Sequence, residues 1–283
     1  MAIRFIIDSA SDFDFREAER NGDIFLPMSV VWQGEQYRDQ IDMAPRAFYE
    51  KLIECDELPT TCQLTPYDYT QAFERITSEG DEAIAICLSS KLSGSCQSAT
   101  IAASEFESGV YVVDSLNAAM GEQVLVRYAM QLREKNMYAE DIVRELNSAR
   151  ERIRLIALVD TLEYLRRGGR VSTVTAAAGT LLAIKPVVAI ENGEVAVIGK
   201  ARGSKKANNL LSELIERSGG VDFSRPYLLA YSGLNDDMLQ KYIADSAHLW
   251  SGKAEKLPIT PIGSVIGTHV GPGAVGVAFF SNK

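Results

Sequence analysis

The sequence predicts an α/β protein of two domains: a three-layer α/β/α domain with a mainly parallel sheet, then a two-layer α/β domain with a mixed sheet. Three observations carry this. Short apolar runs alternate with helix-period segments through the first half, the rhythm of βαβ units. Beyond about residue 150 that rhythm gives way to an antiparallel hairpin signal at Asn192-Gly193. A chain of 283 residues also exceeds one average domain. The boundary is drawn at residue 150, giving a parallel-sheet domain over 1–150 and a mixed-sheet domain over 151–283.

Taken in order, Ile3–Asp8 reads as a buried opening strand, with Ser9, Ser11 and Asp12 as cap candidates for a short helix. Residues 25–31 read as one strand, and Gln33-Gly34 turns the chain into another at 35–37. Pro45 suits the first turn of a helix ending near Cys55, and Thr65-Pro66 opens a second that ends near Gly80. Between them 58–63 reads as a loop. Strands at 82–88 and Val110–Asp114 are each followed by a helix pattern, at 95–106 and 118–136, and 139–152 is one more amphipathic helix. The second half offers a strand at 155–159 and a short helix at 161–167 stopped by Gly168-Gly169. It continues with hairpin strands at 186–191 and 194–200, a helix at 204–218, Tyr227–Tyr231, a helix at 236–250 and Val275–Phe280. Residues 262–273 read as a glycine-rich loop.

Composition narrows the function. Lys and Arg number 29 against 38 Asp and Glu, a net charge of −9, which argues against nucleic acid or an anionic membrane as the main partner. With 46% apolar residues the chain can build a core that encloses an apolar ligand. Cys55, Cys62, Cys87 and Cys96 lack the CxxC spacing of zinc or thioredoxin-type sites. Asp8 comes too early for a signal peptide, and no apolar run reaches the roughly 20 residues of a membrane helix. The expectation is a cytoplasmic protein with reduced thiols, no stable membrane insertion, no metal and no cofactor.

The densest chemical signal is Leu88-Ser89-Ser90-Lys91-Leu92-Ser93-Gly94-Ser95, leaving the carboxyl end of a buried strand and entering a helix. Ligands of open parallel sheets bind there, and free N–H groups with hydroxyls suit an oxyanion. Gly94 would let a ligand approach the backbone closely. The plain alternative is an N-cap loop, in which Ser and Gly are common. Pro59-Thr60-Thr61-Cys62-Gln63 is a second hydroxyl cluster, which matters only if the fold brings Thr61 beside Ser93. Arg170 could face an anion or merely end a helix. Gly199 through Lys206 lacks the spacing of a phosphate loop, so no nucleotide motif is present. His269 sits in the glycine-rich segment, where it reads as exposed and open to proton chemistry, or as stabilising a turn. Ser93 and His269 could also pair as nucleophile and base of an acyl ester hydrolase. Against that, the GxSxG elbow is absent and only generic carboxylates such as Asp114 or Asp8 offer a third member.

Together these segments resemble the DegV family of fatty-acid-binding proteins that serve bacterial fatty acid kinases. The match runs end to end. It includes Ile6-Ile7-Asp8-Ser9, Pro59 through Gln63, Leu92-Ser93-Gly94-Ser95 with Gln97-Ser98-Ala99, and Leu165 through Ser172. It continues in Ile184-Lys185-Pro186, Asn192-Gly193, Lys200 through Lys206, and Gly267-Thr268-His269-Val270-Gly271-Pro272-Gly273. The resemblance implies a lipid-binding protein rather than an enzyme, holding a long-chain fatty acid such as palmitate, stearate or oleate. It places the carboxylate on Thr61, Ser93, Gly94 and Ser95, with Arg170, Arg202 and His269 near it or in a step performed by a separate ATP-dependent kinase. Cys62 stands where the family commonly has Ser, and Ser95-Cys96 where it has Thr-Tyr. Residues 176–178, Leu181 and Leu182 are candidates for the tunnel wall, equally good as core.

Overall fold

The computed structural model describes residues 1–171, 184–250 and 256–282. Ser172, residues 176–178, Leu181 and Leu182 fall outside them. Strand β1 (Ile3–Asp8) lies in a four-stranded parallel sheet, in the order β2 (Ile24–Leu26), β1, β6 (Glu82–Cys87), β7 (Val110–Asp114). Its apolar runs are nearly continuous because both faces are covered. Helices α3 (Pro66–Ser78) and α4 (Ser95–Ala103) pack on it and on each other, and α5 (Ala119–Glu134) and α6 (Ala139–Ala149) form the other pair. Thr65 and Asp68 close a capping box at the start of α3, and Pro66 fills its first turn. The cap role expected of Ser9, Ser11 and Asp12 passes to Asp14, which opens α1 (Phe15–Arg20), while Ser9–Ser11 form one 3₁₀ turn.

Residues 25–31 do not make one strand. The chain breaks at Pro27, which has no N–H to give a sheet ladder. The Met28 N–H turns instead to the Ser9 hydroxyl at 3.0 Å. The next strand, β3 (Ser29–Trp32), leaves the parallel sheet and pairs with β4 (Glu35–Arg38) through the turn at Gln33-Gly34, both at positive φ. On its other side β3 pairs with β5 (Thr60–Cys62). The hydroxyl cluster read as a loop is therefore an edge strand of a three-stranded antiparallel sheet. Helix α2 (Pro45–Glu54) connects β4 to β5.

The second half builds a six-stranded mixed sheet in the order β10 (Glu194–Arg202), β9 (Ile184–Glu191), β8 (Ile153–Leu158), β13 (Val275–Phe280), β11 (Tyr227–Tyr231), β12 (Ile259–Pro261). Asn192 and Gly193 make the β9–β10 turn at positive φ, as their pairing predicts. A short α7 (Glu163–Arg167) follows β8, α8 (Ser204–Arg217) follows β10, and the helix expected over 236–250 divides into α9 (Asp237–Asp245) and α10 (Ala247–Trp250). Alternate residues of β8 serve two cores: Ile156 and Leu158 pack with Ala207 and Leu211 of α8, whereas Leu155 and Ala157 join the core of the first half. Helix α5 touches β8, β11 and β13 as well as β6, so it lies between the two large sheets.

The segment 262–273 is not a loop. Residues Ser264–Val270 form helix α11, which packs on α2, α7, β3 and β5. Two buried carboxylates from the first half receive its N-terminus: Asp12 accepts from the Gly263 N–H at 2.7 Å, and Asp39 accepts from the Ser264 N–H at 2.9 Å and its hydroxyl at 2.6 Å. Apolar spacing held the warning. Ile262, Val265 and Ile266 recur at i, i+3 and i+4, with His269 following at i+7 on the same helical face, beneath the glycines that suggested a loop.

Candidate ligand-binding site

A cavity of about 460 Å³ lies between the six-stranded sheet, the N-terminal turn of α5 and the face of α11. Most of its wall is aliphatic, including Leu88, Ala118, Met120, Ala157, Val188, Ile190, Val195 and Ile266. The polar side chains that reach it are Thr61 and Gln63 of β5 and its continuation, Ser93 before α4, Arg170 after α7, and His269 on α11. Gly94 and the exposed Cys62 border it too. Thr61 and Ser93, 32 positions apart in sequence, thus open onto one space.

Local bonds hold this end together. The Leu64 N–H donates to the Ser95 hydroxyl at 3.2 Å, tying the end of β5 to the start of α4, and Ser95 Oγ lies 3.0 Å from Ser93 Oγ. Ser95 is fully buried and outside the cavity wall, so it braces Ser93 rather than facing the space. The room left by the missing side chain of Gly94 is taken by Gln63, whose Oε1 would lie 2.2 Å from a Cβ there. The close approach read from that glycine is made by the protein's own amide. Arg202 ends β10, exposed and outside the wall.

His269 is largely enclosed, contrary to the exposure read for it in sequence. Burial, with Arg170 nearby, carries its pKa down from 6.5 to about 4, so the imidazole is neutral at pH 7. Its Nε2 lies 2.9 Å from Thr61 Oγ1, and its Nδ1, against Gly168, has no hydrogen-bond partner among the described residues. The Ser93–His269 pairing a hydrolase would need is not the pairing present. Arg170 gives its N–H groups to the carbonyls of Leu92 and Gly168, and desolvation lowers its pKa. Lys185 pairs with Asp160, but no carboxylate pairs with Arg170 among the described residues. A half-buried guanidinium satisfied only by carbonyls, beside two hydroxyls and an apolar hollow, can hold an anion with a hydrophobic tail.

The model of the DegV family, described as uncharacterised, matches residues 2–282. The chain belongs to the DegV family. It is 33% identical over 287 residues to a DegV domain-containing protein of Caldanaerobacter subterraneus, covering 99% of each chain. A Thermotoga maritima relative named as a fatty acid-binding protein is 31% identical, over 98% of this chain and 96% of its own. Among solved structures, a DegV family protein from Thermus thermophilus, described by its fatty acid binding, superimposes with a TM-score of 0.88 at 33% identity, covering 99% of this chain and all of that one. The two large sheets of this chain are therefore the family's fold. No helix among the described residues is long and apolar enough to cross a membrane.

Sequence patterns do not single out Gln63, Met120 or Gly276 as site residues. Gln63 was within reach, since it closes the Thr-Thr-Cys-Gln cluster. The other two carry no local signal, because each lies inside an ordinary helix or strand pattern.

Proposed function

We propose that this DegV-family chain binds a long-chain fatty acid, such as palmitate, stearate or oleate, without transforming it. The observation that carries the reading is a largely aliphatic cavity whose polar side chains gather at one end beside an arginine that has no carboxylate partner among the described residues. The relatives named for fatty acid binding support it. In this reading the carboxylate meets the hydroxyls of Thr61 and Ser93 and the field of Arg170, while Gly94 and Ser95 shape the loop behind them. Neutral His269 then has a defined task. With its proton on Nε2 it donates to Thr61, so the threonine O–H stays free to donate to the ligand.

Acyl burial supplies the affinity. At about 0.8 kcal/mol per methylene a chain of roughly 16 carbons gains on the order of 11 kcal/mol before association costs. The carboxylate hydrogen bonds offset desolvation of the headgroup rather than adding much net binding. The finer parts of the proposal are a separate ATP-dependent kinase that converts the held acid to an acyl phosphate, with His269 and exposed Arg202 serving that step, and two α/β domains meeting near residue 150. Mass spectrometry of solvent extracts from protein produced in a heterologous host tests the core reading. About one long-chain fatty acid per chain is expected, and an empty protein after gentle purification overturns it.

A further inference from the structure

We infer that Met120, seated in a hollow left by Gly276, sets how wide an acyl chain the cavity accepts midway along its length. The inference rests on the fatty acid reading above and deepens it.

The cavity runs along one face of strands β9, β8 and β13. On β8 the residues facing it are Val159, just past the strand end and nearest the polar mouth, then Ala157, then Leu155. Successive members are about 6.7 Å apart, two residues of strand rise. Cross-strand register makes each a row. Ala157 stands between Gly276 of β13 and Val188 of β9. The deeper row is Leu155 with Ala278, and Ile190 closes the wall beyond. The middle row alone combines glycine and alanine, so the sheet floor is thin there.

That space is filled from above. A Cβ built on Gly276 would lie 2.8 Å from Met120 Cε and 3.1 Å from its Sδ, with the Ala157 methyl at 3.2 Å. The thioether tip of Met120, a cavity-lining residue in the first turn of α5, therefore rests where a β13 side chain would otherwise stand. Methionine is unbranched and flexible, so the tip can leave or keep this seat at little cost. With the tip seated over Gly276, the middle of the bore is open to a chain that bends there. With the seat taken, the tip is pushed into the bore and only a straight chain passes. The two ligand classes are cis-unsaturated acids with a mid-chain kink and straight saturated acids.

The test is competition between oleate and stearate, offered as equimolar mixtures to delipidated protein and read by mass spectrometry of the bound fraction. Met120→Ala widens the middle and is expected to raise the oleate-to-stearate ratio about tenfold, the scale at which a hydrophobic pocket discriminates a methylene-sized change. Gly276→Ala puts a methyl in the seat and is expected to lower the ratio by about the same factor. Gly276 sits at ordinary strand φ, so alanine suits the backbone. The double variant has no tip to displace and should return to within about threefold of wild type, a coupling a general packing defect does not give. If the wild type takes up neither acid, the fatty acid reading falls and this inference with it. If it binds both but the singles leave the ratio unmoved, shift it the same way, or add in the double variant, only the role of Met120 and Gly276 is overturned. Met120→Ala decides the matter alone should Gly276→Ala fail to fold.

Discussion

Two clusters of enclosed polar side chains lie within this fold, and they differ in what they face. At the cavity mouth Thr61, Ser93, Arg170 and His269 converge on an unfilled apolar space. Behind the strand ends Asp8, Asp12, Asp39 and Glu122 are all buried, and none of them reaches that space. Both clusters perturb titration. Burial pushes Asp8 up to about 6 against the pull of the Leu88 and Ala10 N–H groups, and burial with Asp8 alongside pushes Glu122 well above its usual range. Asp8, Asp12 and Asp39 each give an oxygen to the chain itself, at the end of β6 or the start of α11, whereas neither Glu122 oxygen has a hydrogen-bond partner among the described residues. Perturbed ionisation therefore marks burial in both places, and only the open volume separates a ligand site from a structural joint.

The largest effect that sharpens this contrast belongs to the mouth. Thr61→Ala with Ser93→Ala removes two hydroxyl partners of a charged headgroup and is expected to weaken fatty acid binding by on the order of 3 kcal/mol, with a smaller loss of thermal stability from the His269 and Ser95 groups that lose their partners. Calorimetric titration beside a melting curve checks it, and a fall in stability with affinity intact would place these hydroxyls with the structural polar groups instead.

Next comes the response to pH, where the clusters should have opposite slopes. His269 is held neutral in the fold down to about pH 4 but takes a proton near 6.5 when unfolded. Between those values the unfolded state binds more protons, so stability drops by about 3 kcal/mol as pH falls across the window. His269→Gln should flatten that limb in chemical denaturation at pH 7 and pH 4.5. Glu122 runs the other way: its folded pKa is raised, so the unfolded chain gives up its proton first and stability declines as pH rises above about 4.5. Glu122→Gln should relieve that decline. Parallel slopes in the two variants would break the comparison.

The smallest effect lies within the serine-rich segment itself. The buried Ser89 hydroxyl donates to the Gly193 carbonyl at 2.7 Å, pinning the β9–β10 turn, whereas Ser93 opens onto the cavity. Ser89→Ala should cost about 1 kcal/mol, a melting shift of about 3 °C, and leave occupancy alone. Loss of ligand from this variant would show that the turn also guards the cavity.

The serine cluster, the Thr-Thr-Cys-Gln run and the Asn192-Gly193 turn were legible because each is a local pattern with a local cause. The split at Pro27 was legible in principle, since proline cannot donate to a ladder, yet the apolar run around it masked the break. The helix over Ser264–Val270 was hidden because its glycines outweighed a helical apolar period that only tertiary packing rewards. Glycine there has a packing cause: a Cβ on Gly267 would lie 2.6 Å from the Phe48 ring and 2.7 Å from the Tyr49 hydroxyl.

By itself the sequence determined the alternation of strands and helices, the positions of most turns, and which short segments carry hydroxyl and cationic groups. These follow from backbone sterics and from periodicity over neighbouring residues. Only the tertiary structure decided that Thr61 belongs to a strand, that His269 is largely enclosed and neutral beside it, and that a cavity remains between the first turn of α5, α11 and the second sheet. Such facts depend on contacts between residues far apart in sequence, 208 positions for Thr61 and His269, and on volumes that packing leaves unfilled. No local propensity encodes an empty space.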